Sequence, residues 1–144
     1  MNNVRQISVF VENKPGRLSA ITQILKDNGI NIRALSIADT KDFGILRLIV
    51  NDPDMACQKL KDASCTVTIT EVVAISIDDE MGKLSEVMSL INNAGVNIEY
   101  LYAFLSKSSN KASIILRVDD NEKAHQLFTE AGIVQLAEKD ICEM

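Results

Sequence analysis

The sequence predicts an α+β protein made of two tandem βαββαβ units, each an antiparallel sheet with its helices on one face. Three observations predict it: a loop-and-helix motif that occurs twice, apolar residues that switch between a period of two and a helical period, and turn residues at each switch. In the motif, Pro15-Gly16-Arg17-Leu18 is answered by Met81-Gly82-Lys83-Leu84, and Asn28-Gly29-Ile30-Asn31-Ile32 by Asn93 and Ala94-Gly95-Val96-Asn97-Ile98. Both glycine pairs, Gly16 with Gly82 and Gly29 with Gly95, are displaced by 66 residues. A second pair of segments, LRLIVNDPDMACQKL from Leu46 and IILRVDDNEKAHQLF from Ile114, matches at a displacement of 68, which puts two extra residues in the turn Ser106 to Lys111. Duplication accounts for both displacements, and the units are expected at residues 1–70 and 71–144.

The elements follow in order. Val4 to Glu12 alternates, with Ile7, Val9 and Val11 on one side, as a half-buried strand does. Pro15 is expected in the first turn of a helix that carries Leu18, Ile21 and Leu25 on one face and stops at Asn28-Gly29. Ile30 to Asp39 reads as a second strand, Thr40-Lys41-Asp42 as a turn, and Phe43 to Val50 as a third strand. Asn51-Asp52-Pro53 opens a second helix whose buried stripe is expected to be Met55, Ala56, Leu60 and Ala63. Thr66 to Glu71 closes the unit as a β-branched strand.

The second unit repeats this order. Val72 to Ile77 is strand, and Met81 to Asn93 is a helix with the stripe Leu84, Val87, Met88 and Ile91. Val96 to Ser106 and Ala112 to Val118 are strands, Asn121 to Ala131 is a helix, and a last strand falls between Ile133 and Ile141. Glu71-Val72-Val73 runs from one unit into the next without a linker. Strand-helix-strand repeated in this way is the split βαβ, or ferredoxin-like, plan, whose right-handed crossovers put the first and third strands in the centre and the second at an edge. In the second unit that edge strand is apolar on both faces: Ile98, Tyr100, Tyr102 and Phe104 alternate with Leu101, Ala103 and Leu105. Such an edge is expected to be paired and covered, and the two tyrosines to be packing residues.

Composition narrows the function classes. A net charge of −5 over 144 residues leaves no basic patch for phosphate, so nucleic acid is not an expected partner. No apolar run approaches the length of a membrane span, and the N-terminus enters strand-like alternation without a secretory pattern, so a cytoplasmic protein with no membrane partner is expected. Cys57, Cys65 and Cys142 are scattered, without a C-x-x-C pair, and imply neither a metal site nor a redox site. The single histidine, His125, flanks the stripe Ala124, Leu127 and Phe128 and reads as a surface residue. There is no nucleophile-base pair of familiar context and no glycine-rich phosphate loop, so neither catalysis nor a cofactor is expected.

The loop E-N-K-P-G-R-L from Glu12 and the segment N-G-I-N-I from Asn28 resemble the ACT domain, a small-ligand regulatory module of amino-acid metabolism. The resemblance covers the chain as two copies. The second copy keeps Gly82, Leu84, Gly95, Asn97 and Ile98 but has Met81 instead of proline. The chain looks like a free-standing tandem ACT protein, and its first copy is also similar to the ACT half of the small subunit of acetohydroxyacid synthase. The resemblance implies an amino acid held where the first loop of one domain meets the second strand of its neighbour, with Asn13, Asn31 and Asn97 at matching positions. Physical chemistry is compatible with that site. The first amides of the helix, at Gly16, Arg17 and Leu18, sit at the positive end of its dipole and suit a carboxylate. Pro15 and Gly16 shape the loop, and an asparagine amide can serve both ends of a zwitterion.

Plainer roles stand beside these. Asn13 could be a turn or cap residue, Gly16 purely structural, and Asn31 and Asn97 satisfiers of backbone groups. The acidic run Asp78-Asp79-Glu80 suits a helix N-terminus but would repel a carboxylate, which marks the second copy's loop as a degenerate site. Two functions remain open: a small-molecule sensor, expected as a homodimer, and an interaction subunit that regulates a separate metabolic enzyme.

Overall fold

The computed structural model describes residues 3–39, 42–105 and 110–142, and these fall into two compact units. The first comprises Arg5–Thr70. It contains β1 (Val4–Glu12), α1 (Arg17–Asp27), β2 (Ile32–Asp39), β3 (Phe43–Val50), α2 (Pro53–Asp62) and the first residues of β4 (Thr66–Asp78). β3 lies between β1 and β2 and pairs antiparallel with both, Ile7 opposite Leu48 on one side and Ile37 opposite Leu46 on the other. This register puts Ile7, Val9, Leu46, Leu48 and Val50 on the face that receives Ile21 and Leu25 of α1 and Ala56, Cys57 and Leu60 of α2. Each valine, leucine or isoleucine of this set contributes roughly 1.5–3 kcal/mol when fully buried, and a strand slip of one residue would turn the strand's apolar set outward.

The second unit runs from Glu71 and takes in the N-terminal residues up to Val4. It contains the rest of β4, then α3 (Lys83–Asn93), β5 (Ile98–Leu105), β6 (Lys111–Val118), α4 (Asn121–Glu130), β7 (Val134–Leu136) and α5 (Glu138–Cys142). The strand order is β5-β6-β4-β7, antiparallel throughout. That is second-third-first-fourth, the ferredoxin-like arrangement, with the two-faced apolar strand β5 at the edge as expected. Val87, Ile91, Ala124 and Phe128 pack on Val73, Ile75, Ile114 and Leu116.

The helix exits share one mechanism. Ile30 and Gly29 donate their amides to Leu25 and Lys26, and Val96 and Gly95 donate theirs to Ile91 and Asn92. Both are Schellman stops, and the glycines have the positive φ that such a stop requires. The entries differ from expectation. Pro15 is not in the first turn of α1, which begins at Arg17 behind Gly16. Instead Lys14-Pro15-Gly16-Arg17 is a type II turn, closed by the Arg17 amide on the Lys14 carbonyl at 3.3 Å, with Gly16 at φ 85° and ψ −7°. Glu80-Met81-Gly82-Lys83 is the same turn, with Gly82 at φ 88°.

Other expectations also change. The buried stripe of α2 is Pro53, Ala56, Cys57 and Leu60, an i, i+3, i+4, i+7 set that leaves Met55 and Ala63 exposed. On α3, Leu84 is 41% exposed and stands outside the core cluster that holds Val87 and Ile91. The strands read at Thr66–Glu71 and Val72–Ile77 are one continuous β4. After the short β7, α5 forms where only strand was expected, its start closed by the Asp140 carboxylate accepting from the Ala137 amide at 2.7 Å. His125 is buried, not on the surface: Gln135 of β7 lies 2.5 Å from its Nδ1, and Asn3 lies 2.6 Å from its Nε2. Of the turn residues expected to hold the two-residue insertion, 106–109 lie outside the described residues, as do Thr40 and Lys41 of the first unit's turn.

Candidate ligand site

At the end of β1 the chain turns through Glu12, Asn13 and Lys14 into the type II turn and α1. The Asn13 amide donates to the Asp42 carbonyl at 2.9 Å, and the Lys14 amide to the Glu12 carbonyl at 2.9 Å, so the loop is tied to the β2–β3 turn and to itself. A cleft of about 150 Å³ lies here, lined by Asn13, Lys14, Arg17 and Leu18 with Ile37 of β2 and Gly44 of β3. Pro15 and Gly16 form the turn beside it. A β-carbon built on Gly16 would meet nothing within 4 Å, so the glycine is demanded by its φ and not by close approach within this unit.

The electrostatics favour an anion. No side chain caps α1, and no acidic residue lies in its first turn. Of the three amides expected to face a ligand, that of Arg17 already closes the turn. Glu12 is paired with Lys14 at 3.0 Å and Arg17 at 3.9 Å. The hydrogen bond and charge of Lys14, with the charge of Arg17, hold the Glu12 carboxyl below the ordinary range. The second unit differs. Glu86 lies in the first turn of α3 and pairs with Lys83 at 3.6 Å. The hydrogen bond and charge of Lys111, with a smaller contribution from Lys83, lower the Asp78 carboxyl.

The remaining asparagines are elsewhere. Asn31 sits just before β2, at the far end of the first unit's sheet from Asn13, and lines a separate cleft beside Gly29 and Ile32. An eight-residue strand spans roughly 25 Å. The Asn31 amide donates to Asn51 Oδ1 at 2.9 Å, and the Asn97 amide to Asp119 Oδ1 at 3.0 Å, the equivalent bond in the second unit. One unit therefore brings Asn13, Arg17 and Leu18 together and leaves Asn31 apart. Sequence reasoning missed Glu12, Lys14 and Ile37. The alternation of charge in E-N-K-P-G-R signalled the first two, whereas Ile37 joins only through sheet pairing.

The model of the ACT domain pair family matches residues 2–144. The chain belongs to the ACT domain pair family. ACT domain pairs are regulatory modules of amino-acid metabolism. A probable acetolactate synthase small subunit from Archaeoglobus fulgidus is 25% identical over 143 residues, covering 91% of this chain and 89% of that one. Among solved structures, a protein from Bacteroides thetaiotaomicron is 40% identical with a TM-score of 0.93, covering 99% of this chain and 97% of its own. The ligand-free regulatory subunit of aspartate kinase from Thermus thermophilus is 16% identical with a TM-score of 0.66, covering 90% of this chain and 92% of its own. That last likeness is one of fold. In the described part of this ACT pair, no helix is long and apolar enough to cross a membrane, and no group of three or more His, Cys, Asp or Glu residues is placed to hold a metal.

Proposed function

We propose that this ACT pair is a non-catalytic regulatory protein that binds an amino acid at the first loop, where a second copy of the chain completes the site. The observation that carries the reading is the cleft at the uncapped start of α1, where Asn13, Arg17 and Leu18 meet. The ligand's carboxylate lies at the helix N-terminus, where dipole and amides favour an anion. Its ammonium group is received by the side-chain oxygen of Asn13, with the Glu12 carboxylate nearby. Ligand pockets usually hold about 300–1,000 Å³, and the 150 Å³ cleft is well below that. A partner surface supplies the rest, and Asn31 from the second strand of that copy is the residue expected there.

Asn13→Ala tests this. A hydrogen bond to a charged group contributes about 1.5–3 kcal/mol, so affinity should fall by roughly ten-fold to a hundred-fold. Calorimetry against the free amino acids reads the change. Unchanged affinity in a folded mutant would remove Asn13 from the site. A second reading, an interaction subunit that modulates a separate enzyme through protein contacts, is favoured by the likeness to the acetolactate synthase small subunit. Co-purification with a large enzyme from native lysate, with no amino acid shifting the melting temperature, would select it.

A further inference from the structure

A larger cleft, of about 430 Å³, opens in the second unit between the end of β4, the start of β6, the Lys83 to Leu90 part of α3 and the turn from α4 into β7. Its volume is within the usual range for a small-molecule site. Ile77, Val87, Leu90 and Ile133 give it an apolar wall, and Asp78, Lys83, Glu86 and Lys111 also line it. The charged groups are paired with each other, Asp78 with Lys111 and Lys83 with Glu86. Exposed pairs of this kind cost little to reopen. The cleft therefore offers two cations and two anions beside apolar surface.

The backbone adds a donor. The Asp79 amide donates to the Asn110 carbonyl at 2.8 Å, on the side of β6. Strand alternation turns the preceding amide, that of Asp78, to the opposite edge, where the ladder to β7 has already ended at Ser76 opposite Val134. The first unit has a counterpart of about 340 Å³, in which Glu12, Arg17, Ile21 and Cys65 occupy the positions of Asp78, Lys83, Val87 and Ile133. It lacks equivalents of Glu86 and Lys111, and Ser64 and Thr66 make its wall more polar.

We propose that the second unit holds its own ligand site in this cleft, for a zwitterionic α-amino acid with an apolar side chain. The carboxylate replaces Asp78 and Glu86 as partner of Lys83 and Lys111, the ammonium group takes the released carboxylates, and the side chain lies on Val87, Leu90 and Ile133. The site is independent of the first loop, and the repulsion expected from Asp78 is offset by its pairing with Lys111.

The test is an amide nuclear magnetic resonance titration of the full chain, with L-leucine, isoamylamine and isocaproate added separately at millimolar concentration. L-Leucine should move the amides of Asp78, Val87 and Gly132 to Val134 saturably. The amine and the acid, each lacking one charge, should bind at least roughly ten-fold more weakly. Lys83→Ala with Lys111→Ala should weaken L-leucine by a similar factor, and Ala131→Trp should block it, whereas Asn13→Ala should leave these shifts in place. Absence of saturable movement at these amides with any apolar amino acid overturns the proposal. So does movement that Asn13→Ala abolishes, which assigns the ligand to the first loop. Movement confined to Asn13 to Leu18 overturns it while leaving the first-loop site standing.

Discussion

Ser64 stands at the exit of α2 with φ 68°, where the exits of α1, α3 and α4 have Gly29, Gly95 and Gly132. Its amide donates to Lys61, and that of Cys65 to Leu60, so the backbone makes the same Schellman stop without the residue that suits it. A side chain in the left-handed region costs about 1–2 kcal/mol, part of which glycine returns as unfolded-state entropy. Ser64→Gly should therefore raise stability by about 0.5–1 kcal/mol, read by thermal melting. Two buried polar residues should behave oppositely. His125 has partners at both ring nitrogens, so His125→Ala takes that partner from Gln135 Oε1 and Asn3 Oδ1 and should cost about 1–3 kcal/mol in denaturant unfolding. Ser113 is fully buried and its hydroxyl has no partner among the described residues, so Ser113→Ala should be neutral or stabilising in the same assay.

Each unit enters its first helix through one turn geometry built from two different sequences. A type II turn wants proline at its second position and glycine at its third, which Pro15-Gly16 satisfies and Met81-Gly82 half satisfies. Met81 is fully exposed and packs on nothing that a substitution would lose. Met81→Pro should stabilise the protein by about 0.4–1 kcal/mol through the unfolded chain, with chemical denaturation as the check. A loss would show that Glu80 cannot adopt the extended conformation a following proline requires.

For the whole molecule, the two edge strands decide what solution state to expect. β2 presents Leu35, 54% exposed, and Ile37, which shares a cleft with Leu18 of α1; β5 presents Leu101, and Leu84 of α3 is exposed too. Leu35 with Leu101 and Leu18 with Leu84 are matched positions of the repeat, apolar and on or near strands that pair on one side only among the described residues, a combination that invites pairing with another chain. Light scattering at micromolar concentration should report a dimer, and Leu35→Lys with Leu101→Lys should shift it toward monomer. A strict monomer for the unaltered chain would remove the second copy from the proposed first-loop site.

The repeat, the strand and helix order and the helix exits are legible in the sequence because each depends on neighbours a few residues apart. Gly29 and Gly95 stop helices through local bonds, and Phe43 to Val50 alternates whether or not its partners are known. Local rules mislead where two conformations share a signature. Pro15-Gly16 suits a helix start and a type II turn equally, and only the closure of Lys14 on Arg17 separates them. The burial of His125 was not legible, since it depends on Asn3 and Gln135, brought together across 122 and 10 residues of chain. The candidate clefts divide in the same way. Asn13, Arg17 and Leu18 are close in sequence and were read from it. The arrangement of Asp78, Lys83 and Lys111 beside Ile133 exists only once β4, β6, α3 and the α4–β7 turn have packed, because side chains distant along the chain become neighbours through sheet register and not through spacing.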